Sequence, residues 1–147
     1  MDCVGMDLFY IKSKPILVIV DKASSHIKCF LLKNSTSKSV CEKVEDWCLL
    51  FGRPQVIRSD ADPCFRTPFR DWCRDMGIRH EVYSTRNPIS NGLAESGVCR
   101  AKKIIIKSDG TLNQHNIDQL LSVYNNTERA AGAGLPDQLF FKKKLNN

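Results

Sequence analysis

The distribution of apolar runs predicts an α/β chain with a five-stranded mixed sheet flanked by helices. Three strand-type segments come first, helical and strand-type segments then alternate, and the last third reads as helical. Successive strands followed by alternating elements build a sheet with mixed strand directions and helices on its faces. A length of 147 residues suits one domain with a core of its own.

The elements follow in order. Val4 to Phe9 is a short strand. Ile16-Leu-Val-Ile-Val20 is a continuous β-branched run, as expected of a strand buried on both faces. His26 to Leu32 is its neighbour, after a turn over Asp21 to Ser25. Ser35 or Thr36 caps a helix whose Val40, Val44, Trp47, Cys48 and Phe51 recur at helical spacing; Gly52 ends it. Gln55 to Arg58 is a short strand. Thr67-Pro68 opens a helix with Phe69, Trp72, Cys73 and Met76 on one stripe, closed by Gly77. Ile78 to Val82 is the fifth strand. Ser84 to Ser90 reads as a loop, and Ser90 or Asn91 caps a helix running to about Lys107. Helices over 117–124 and 135–141 complete the chain.

Composition narrows the function classes. No apolar run approaches the ~20 residues of a membrane span, and the N-terminus shows no basic region leading into a long apolar stretch. A nuclear or cytoplasmic location is expected, with no membrane partner. Seven cysteines without a CxxC pair point to reduced thiols, and none of the three histidines is spaced with them as in a zinc finger. The net charge of +6 and pI of about 9.0 suit a polyanionic partner such as DNA.

Three acidic residues fall where a sheet edge could gather them. Asp7 sits at the end of the first strand, Asp60 follows the fourth, and Glu95 lies in the first turns of the helix after the loop. Three hard oxygen ligands with open coordination positions suit Mg²⁺ or Mn²⁺. A pair of such ions about 4 Å apart can activate an attacking oxygen and stabilise a leaving one. An isolated Asp at a strand end more often caps a turn, so spacing alone does not select these three.

The flanking residues do. Ile57-Arg-Ser-Asp60 with Pro63, Phe65 and Phe69, then Gly77-Ile-Arg-His80, Ser84 and Pro88-Ile-Ser-Asn-Gly-Leu-Ala-Glu95, resemble the second and third acidic motifs of retroviral-type integrase catalytic cores, those of gypsy-type retrotransposons in particular. Val4-Gly-Met-Asp7, Val18-Ile-Val-Asp21-Lys-Ala-Ser24, Tyr124-Asn125, Gly134-Leu-Pro136 and Leu139-Phe-Phe141 resemble the rest of that domain. The resemblance implies a ribonuclease H-like fold, a catalytic and metal-binding triad of Asp7, Asp60 and Glu95, and two Mg²⁺ or Mn²⁺ ions per site. It covers nearly the whole chain, read as one integrase core domain over 1–147 without the family's N-terminal zinc module or C-terminal DNA-binding module.

Departures cluster near the triad. Thirty-four residues separate Asp60 from Glu95, one fewer than is common in the family. Ala61-Asp62 replaces the usual Asn-Gly, Asn87 the usual His, Ile89 the usual Gln, and Ser96 a usual basic residue. Asp62 adds negative charge beside the metals, as an outer ligand or as a group that raises the pKa of Asp60.

The helix bearing Glu95 supplies the expected DNA face. Seven steps of ~100° bring Lys102 back under Glu95, with Lys103 and Arg100 flanking it. The resemblance implies a phosphate contact for Lys102; a solvated basic half-helix, which the macrodipole favours, is the plainer reading. Arg86 and Asn91, in or beside the 84–90 loop, are further candidate DNA contacts. Lys142-Lys-Lys144 reads as a solvated terminus or a phosphate contact, and Cys64 as packing.

The resemblance implies 3′-end processing by phosphodiester hydrolysis and then DNA strand transfer, acting on element ends and target DNA. A homodimer or higher oligomer is expected through the 36–51 and 113–125 helices. The rival is a domesticated, catalytically weak or inactive module that binds DNA or protein, motivated by Ala61-Asp62 and Asn87.

Overall fold

A computed structural model describes residues 2–83, 88–108, 110–127 and 134–145, the side chains of 88–96 and 144–145 excepted. Five strands form one sheet: β1 (Cys3–Ile11), β2 (Lys14–Asp21), β3 (Ile27–Leu31), β4 (Val56–Ser59) and β5 (Arg79–Val82), in the order β3-β2-β1-β4-β5. β1 pairs antiparallel with β2 and β2 with β3, while β1–β4 and β4–β5 are parallel. The helices are α1 (Ser37–Phe51), α2 (Thr67–Asp75), α3 (Pro88–Ile106), α4 (Gln114–Asn125) and α5 (Pro136–Leu145). A 3₁₀ turn at Pro63–Phe65 precedes α2. No described helix is long and apolar enough to cross a membrane.

The sheet is covered on both faces, which explains the unbroken apolar run of β2. Leu17 and Ile19 join Val4, Met6, Ile57, Val44, Trp47, Phe65 and Phe69 in one core beneath α1 and α2. Ile16, Val18 and Val20 point the other way, with Phe9, Ile27, Ala101, Ile105, Ile117 and Leu121, beneath α3 and α4. Thr36 caps α1 by accepting from the Ser39 N–H, and Gly52 ends the helix at φ +86°, its N–H donating to the Cys48 carbonyl.

α3 begins at Pro88, two residues before the expected cap, because proline's fixed φ suits a first helical turn. It then crosses the sheet at Gly97. A Cβ there would lie 2.2 Å from Cγ2 of Val20, so only glycine permits this approach of helix to strand. Val20 pairs with Gly5 across β1–β2.

The edge strand β3 is closed by side chains of α4. The buried Asn125 amide accepts from the Ile27 N–H (3.1 Å) and donates to the Ile27 carbonyl (3.0 Å). Gln114 accepts from the Leu31 N–H and donates to the Cys29 carbonyl. Two amides thus satisfy four of the groups a bare edge would offer to another chain. α5 seats Phe140 against His26, Trp47 and Phe51. Within the basic tail, Lys143 is neither solvated nor free for phosphate. It is partly buried and paired with Asp2 and Asp21.

Candidate metal centre and nucleic-acid face

Strand register brings the first two acidic residues together. β1 and β4 run parallel with Gly5 opposite Arg58. Two residues further along each strand, Asp7 comes level with Asp60, one residue past the end of β4. Asp7 shares its face of the sheet with Phe9 and Ile11, the face covered by α3. The Asp60 carboxylate lies within hydrogen-bonding reach of Asp7.

Backbone donors orient both carboxylates. The Leu8 N–H donates to Asp7 Oδ1 (2.7 Å), and the Asp62 N–H to Asp60 Oδ1 (3.0 Å). Asp62 in turn accepts from the Cys64 N–H (3.0 Å) and so caps the 3₁₀ turn opened by Pro63. Asp60-Ala61-Asp62 is therefore a pair of interlocked side chain-to-backbone turns. Cys64 is buried at 1% exposure, and burial together with Asp62 pushes its thiol pKa far up, so it packs as an inert group.

The electrostatics of this corner suit a divalent cation. Burial pushes the Asp7 pKa up to about 6, and the neighbouring charges of Asp60 and Asp62 push the same way against the Leu8 N–H. Negative charge is gathered here in excess, on hard oxygen donors with free lone pairs, which is what Mg²⁺ or Mn²⁺ neutralises. Asp62 exerts its charge on Asp7. Among the described residues no group of three His, Cys, Asp or Glu side chains converges enough to hold a metal. Asp7 and Asp60 are thus two of the three expected ligands. Glu95 falls on α3, two residues before the Gly97 contact, on the sheet face that carries Asp7. Its side chain lies outside the described residues, as do the side chain of Asn91 and the whole of Arg86.

Further along α3, Lys102 is exposed and places Nζ 5.7 Å from the Phe9 ring centre, two residues along β1 from Asp7. Lys103 is exposed beside it. Arg100 turns the other way. It is half-buried and donates to the Tyr124 hydroxyl of α4 at 3.4 Å. Sequence reasoning missed a pair behind Asp60: the Ser59 hydroxyl lies 2.7 Å from His80 Nε2. Its only sequence signal was His80 at the end of Gly77-Ile-Arg-His80.

The family described as integrase core domain matches residues 1–88. The chain belongs to the integrase core domain family. An uncharacterised protein of Caenorhabditis elegans is 29% identical over 134 residues, 88% of this chain and 11% of that protein. The Gag-Pro-Pol polyprotein of Human T-cell leukemia virus 2 is 32% identical over 79 residues, 53% of this chain and 5% of the polyprotein. The chain therefore spans a small part of these longer relatives.

Solved structures show the same fold. The catalytic core domain of BIV integrase superimposes with a TM-score of 0.84 at 18% identity, covering 98% of this chain and 96% of that one. The HTLV-2 integrase catalytic core domain in complex with magnesium, in a trimeric form, gives 0.76 at 22% identity over 94% of this chain and 95% of that one. A simian T-cell lymphotropic virus intasome bound to a PP2A regulatory subunit gives 0.82 at 22% identity, over 94% of this chain and 53% of that one. The five-stranded mixed sheet of this integrase core is accordingly the ribonuclease H-like fold.

Proposed function

We propose that this chain is the catalytic core of a DNA integrase of the gypsy-type retrotransposon kind, carrying out 3′-end processing and strand transfer with Asp7, Asp60 and Glu95 as metal ligands. The observation that carries the reading is the meeting of Asp7 and Asp60 at adjacent points of two parallel strands, with the Asp7 pKa raised to about 6. Two Mg²⁺ or Mn²⁺ ions, when bound, would supply Lewis-acid stabilisation of the attacking and leaving oxygens. The chain's own residues do the rest. Asp7 and Asp60 are held in fixed orientation by the Leu8 and Asp62 N–H groups. Lys102 and Lys103 present positive charge along the flank of α3, where a phosphate backbone would run. Arg86 and Asn91 are assigned lesser contacts with the same DNA, whereas Arg100, turned to Tyr124 of α4, is not.

The chain acts as a homodimer or higher oligomer in this reading. Leu49 and Leu50 on α1 and Val123 on α4 are large exposed apolar groups on the two helices expected to pair. The integrases of the structural comparison include an intasome and a trimeric core.

Reversal of strand transfer on a branched DNA is the direct test, because one molecule presents both reacting ends. Turnover in Mg²⁺ or Mn²⁺ by wild type, lost in Asp60→Asn, is the expected result. The second reading, a non-catalytic binding module, is favoured by the negative charge that Asp62 adds beside Asp7. It prevails if no turnover occurs in either metal and Asp60→Asn behaves as wild type.

A further inference from the structure

His80 belongs to a motif that the metal centre does not use, and its surroundings give it a role. Ser59 is the last residue of β4, fully buried and directly before Asp60. Its Oγ lies 3.1 Å from the Asp60 carbonyl oxygen and 2.7 Å from His80 Nε2. A carbonyl oxygen can only accept, so the single hydroxyl proton of Ser59 is directed to Asp60. Ser59 must then accept from His80, which requires the proton on Nε2.

The other ring nitrogen agrees. His80 Nδ1 is buried with no hydrogen-bond partner among the described residues. With the proton on Nε2, only a lone pair goes unpaired there, whereas the opposite tautomer would strand an N–H donor, the rarer and costlier case. Phe69, itself fully buried, meets the ring edge-on with centres 5.1 Å apart, which holds the imidazole plane in place. The chain of donors thus runs His80 to Ser59 to the Asp60 backbone. It lies on the opposite face of the sheet from the carboxylates.

We infer that His80 is a positioning residue for Asp60: its Nε2–H occupies the Ser59 hydroxyl as an acceptor, which commits the hydroxyl proton to the Asp60 carbonyl and fixes the turn that presents the Asp60 carboxylate. The role rests on the reading of Asp60 as a metal ligand. Groups that orient a ligand typically govern metal affinity by about ten- to a hundredfold.

Two measurements on the full chain decide it. Long-range ¹H–¹⁵N correlation on labelled histidine should show His80 protonated at Nε2, in the absence of metal. Mn²⁺ titration, followed by the spin resonance of the free ion, should show about tenfold weaker binding for His80→Leu and Ser59→Ala. His80→Gln, whose amide can donate from about the Nε2 position, should restore affinity to within about threefold. A proton on Nδ1, or wild-type affinity in folded His80→Leu, overturns the inference. So does His80→Gln binding no better than His80→Leu, since loss of packing alone would then explain the effect. Wild type binding Mn²⁺ no better than Asp60→Asn overturns the metal reading itself, and the tautomer measurement separates that failure from this one.

Discussion

Lys102 of α3 holds its ammonium group over the Phe9 ring of β1, 5.7 Å from the ring centre and on the strand that carries Asp7. The ring face attracts the cation and limits where the long side chain points. The charge is thereby kept beside the strand that carries Asp7 at little entropic cost. Lys102→Ala should weaken DNA binding about equally for all sequences, and should lower the slope of log affinity against log salt by about one. Lys102→Arg should retain both. Fluorescence anisotropy of a labelled duplex across a salt series measures these slopes; an unchanged slope in Lys102→Ala removes the phosphate contact.

If Asp7 is a metal ligand as proposed, its titration couples pH to metal binding. Burial, reinforced by the charges of Asp60 and Asp62, raises its folded pKa to about 6. Without metal, a raised folded pKa means stability that is present below the unfolded value and lost as pH rises toward 6. Asp7→Asn should therefore be more stable than wild type at pH 7.5 in chelator, by about 1 kcal/mol after discounting for partial exposure. The gap should close below about pH 4. Added Mn²⁺ should reverse the order by stabilising only wild type, more strongly at pH 7.5 than at pH 5. Thermal unfolding of the two proteins with and without Mn²⁺ checks both halves. Asp7→Asn stabilised by the metal as much as wild type would show that Asp7 is no ligand.

The features legible in sequence were those with local signals. β2 reads as a strand because both its faces are buried, leaving Ile16 to Val20 without a polar residue. α1 reads correctly because Thr36 and Gly52 mark its ends. The β1–β2 turn carries no such mark. Lys12 and Ser13 hold φ of 50° and 66°, where glycine or asparagine is usual, and tertiary pairing along the hairpin overrides that preference. Lys143 reads as a solvated tail because its partners, Asp2 and Asp21, are remote in sequence. The Ser59–His80 bond is likewise a cross-strand relation between motifs that linear reading treats apart. Asp7 and Asp60 were paired by family resemblance. Parallel register supplies the physical reason for their meeting, and no periodicity in the sequence encodes it.

His26 gives the fold an acid-sensitive joint. It is buried at 6% exposure with its ring 4.3 Å from Phe140, and Nε2 lies 3.2 Å from Asp137 Oδ1. Burial lowers its pKa to about 4, outweighing Asp137 and Asp21, while Lys28 adds to the lowering. The unfolded chain binds a proton at about pH 6.5 that the folded chain refuses until about pH 4. Stability should thus fall as pH drops across that window, by an amount on the order of 2–3 kcal/mol. Urea unfolding of wild type and His26→Leu at pH 7.5 and pH 4.5 measures it as a difference of differences. A wild-type slope no steeper than that of the variant would show that His26 takes up its proton in the folded state.

Asn125 makes the edge of the sheet a testable boundary. Its amide satisfies both backbone groups of Ile27, and Gln114, about three turns earlier on α4, satisfies the Cys29 carbonyl and the Leu31 N–H. Asn125→Ala leaves a buried donor and acceptor unpaired, at a cost of about 2–4 kcal/mol. Asn125→Asp keeps the acceptor, loses the donor and buries a charge, so it should cost at least as much. Gln114→Ala should cost less, about 1 kcal/mol, because its half-buried site admits water. Loss of stability is only one consequence. With Ile27 bare, β3 presents an open edge able to pair with another chain, so Asn125→Ala should aggregate at protein concentrations where an equally destabilised core variant such as Val44→Ala remains dispersed. Light scattering at matched unfolding free energy separates the two effects, and equal aggregation of both variants would reduce Asn125 to an ordinary packing residue.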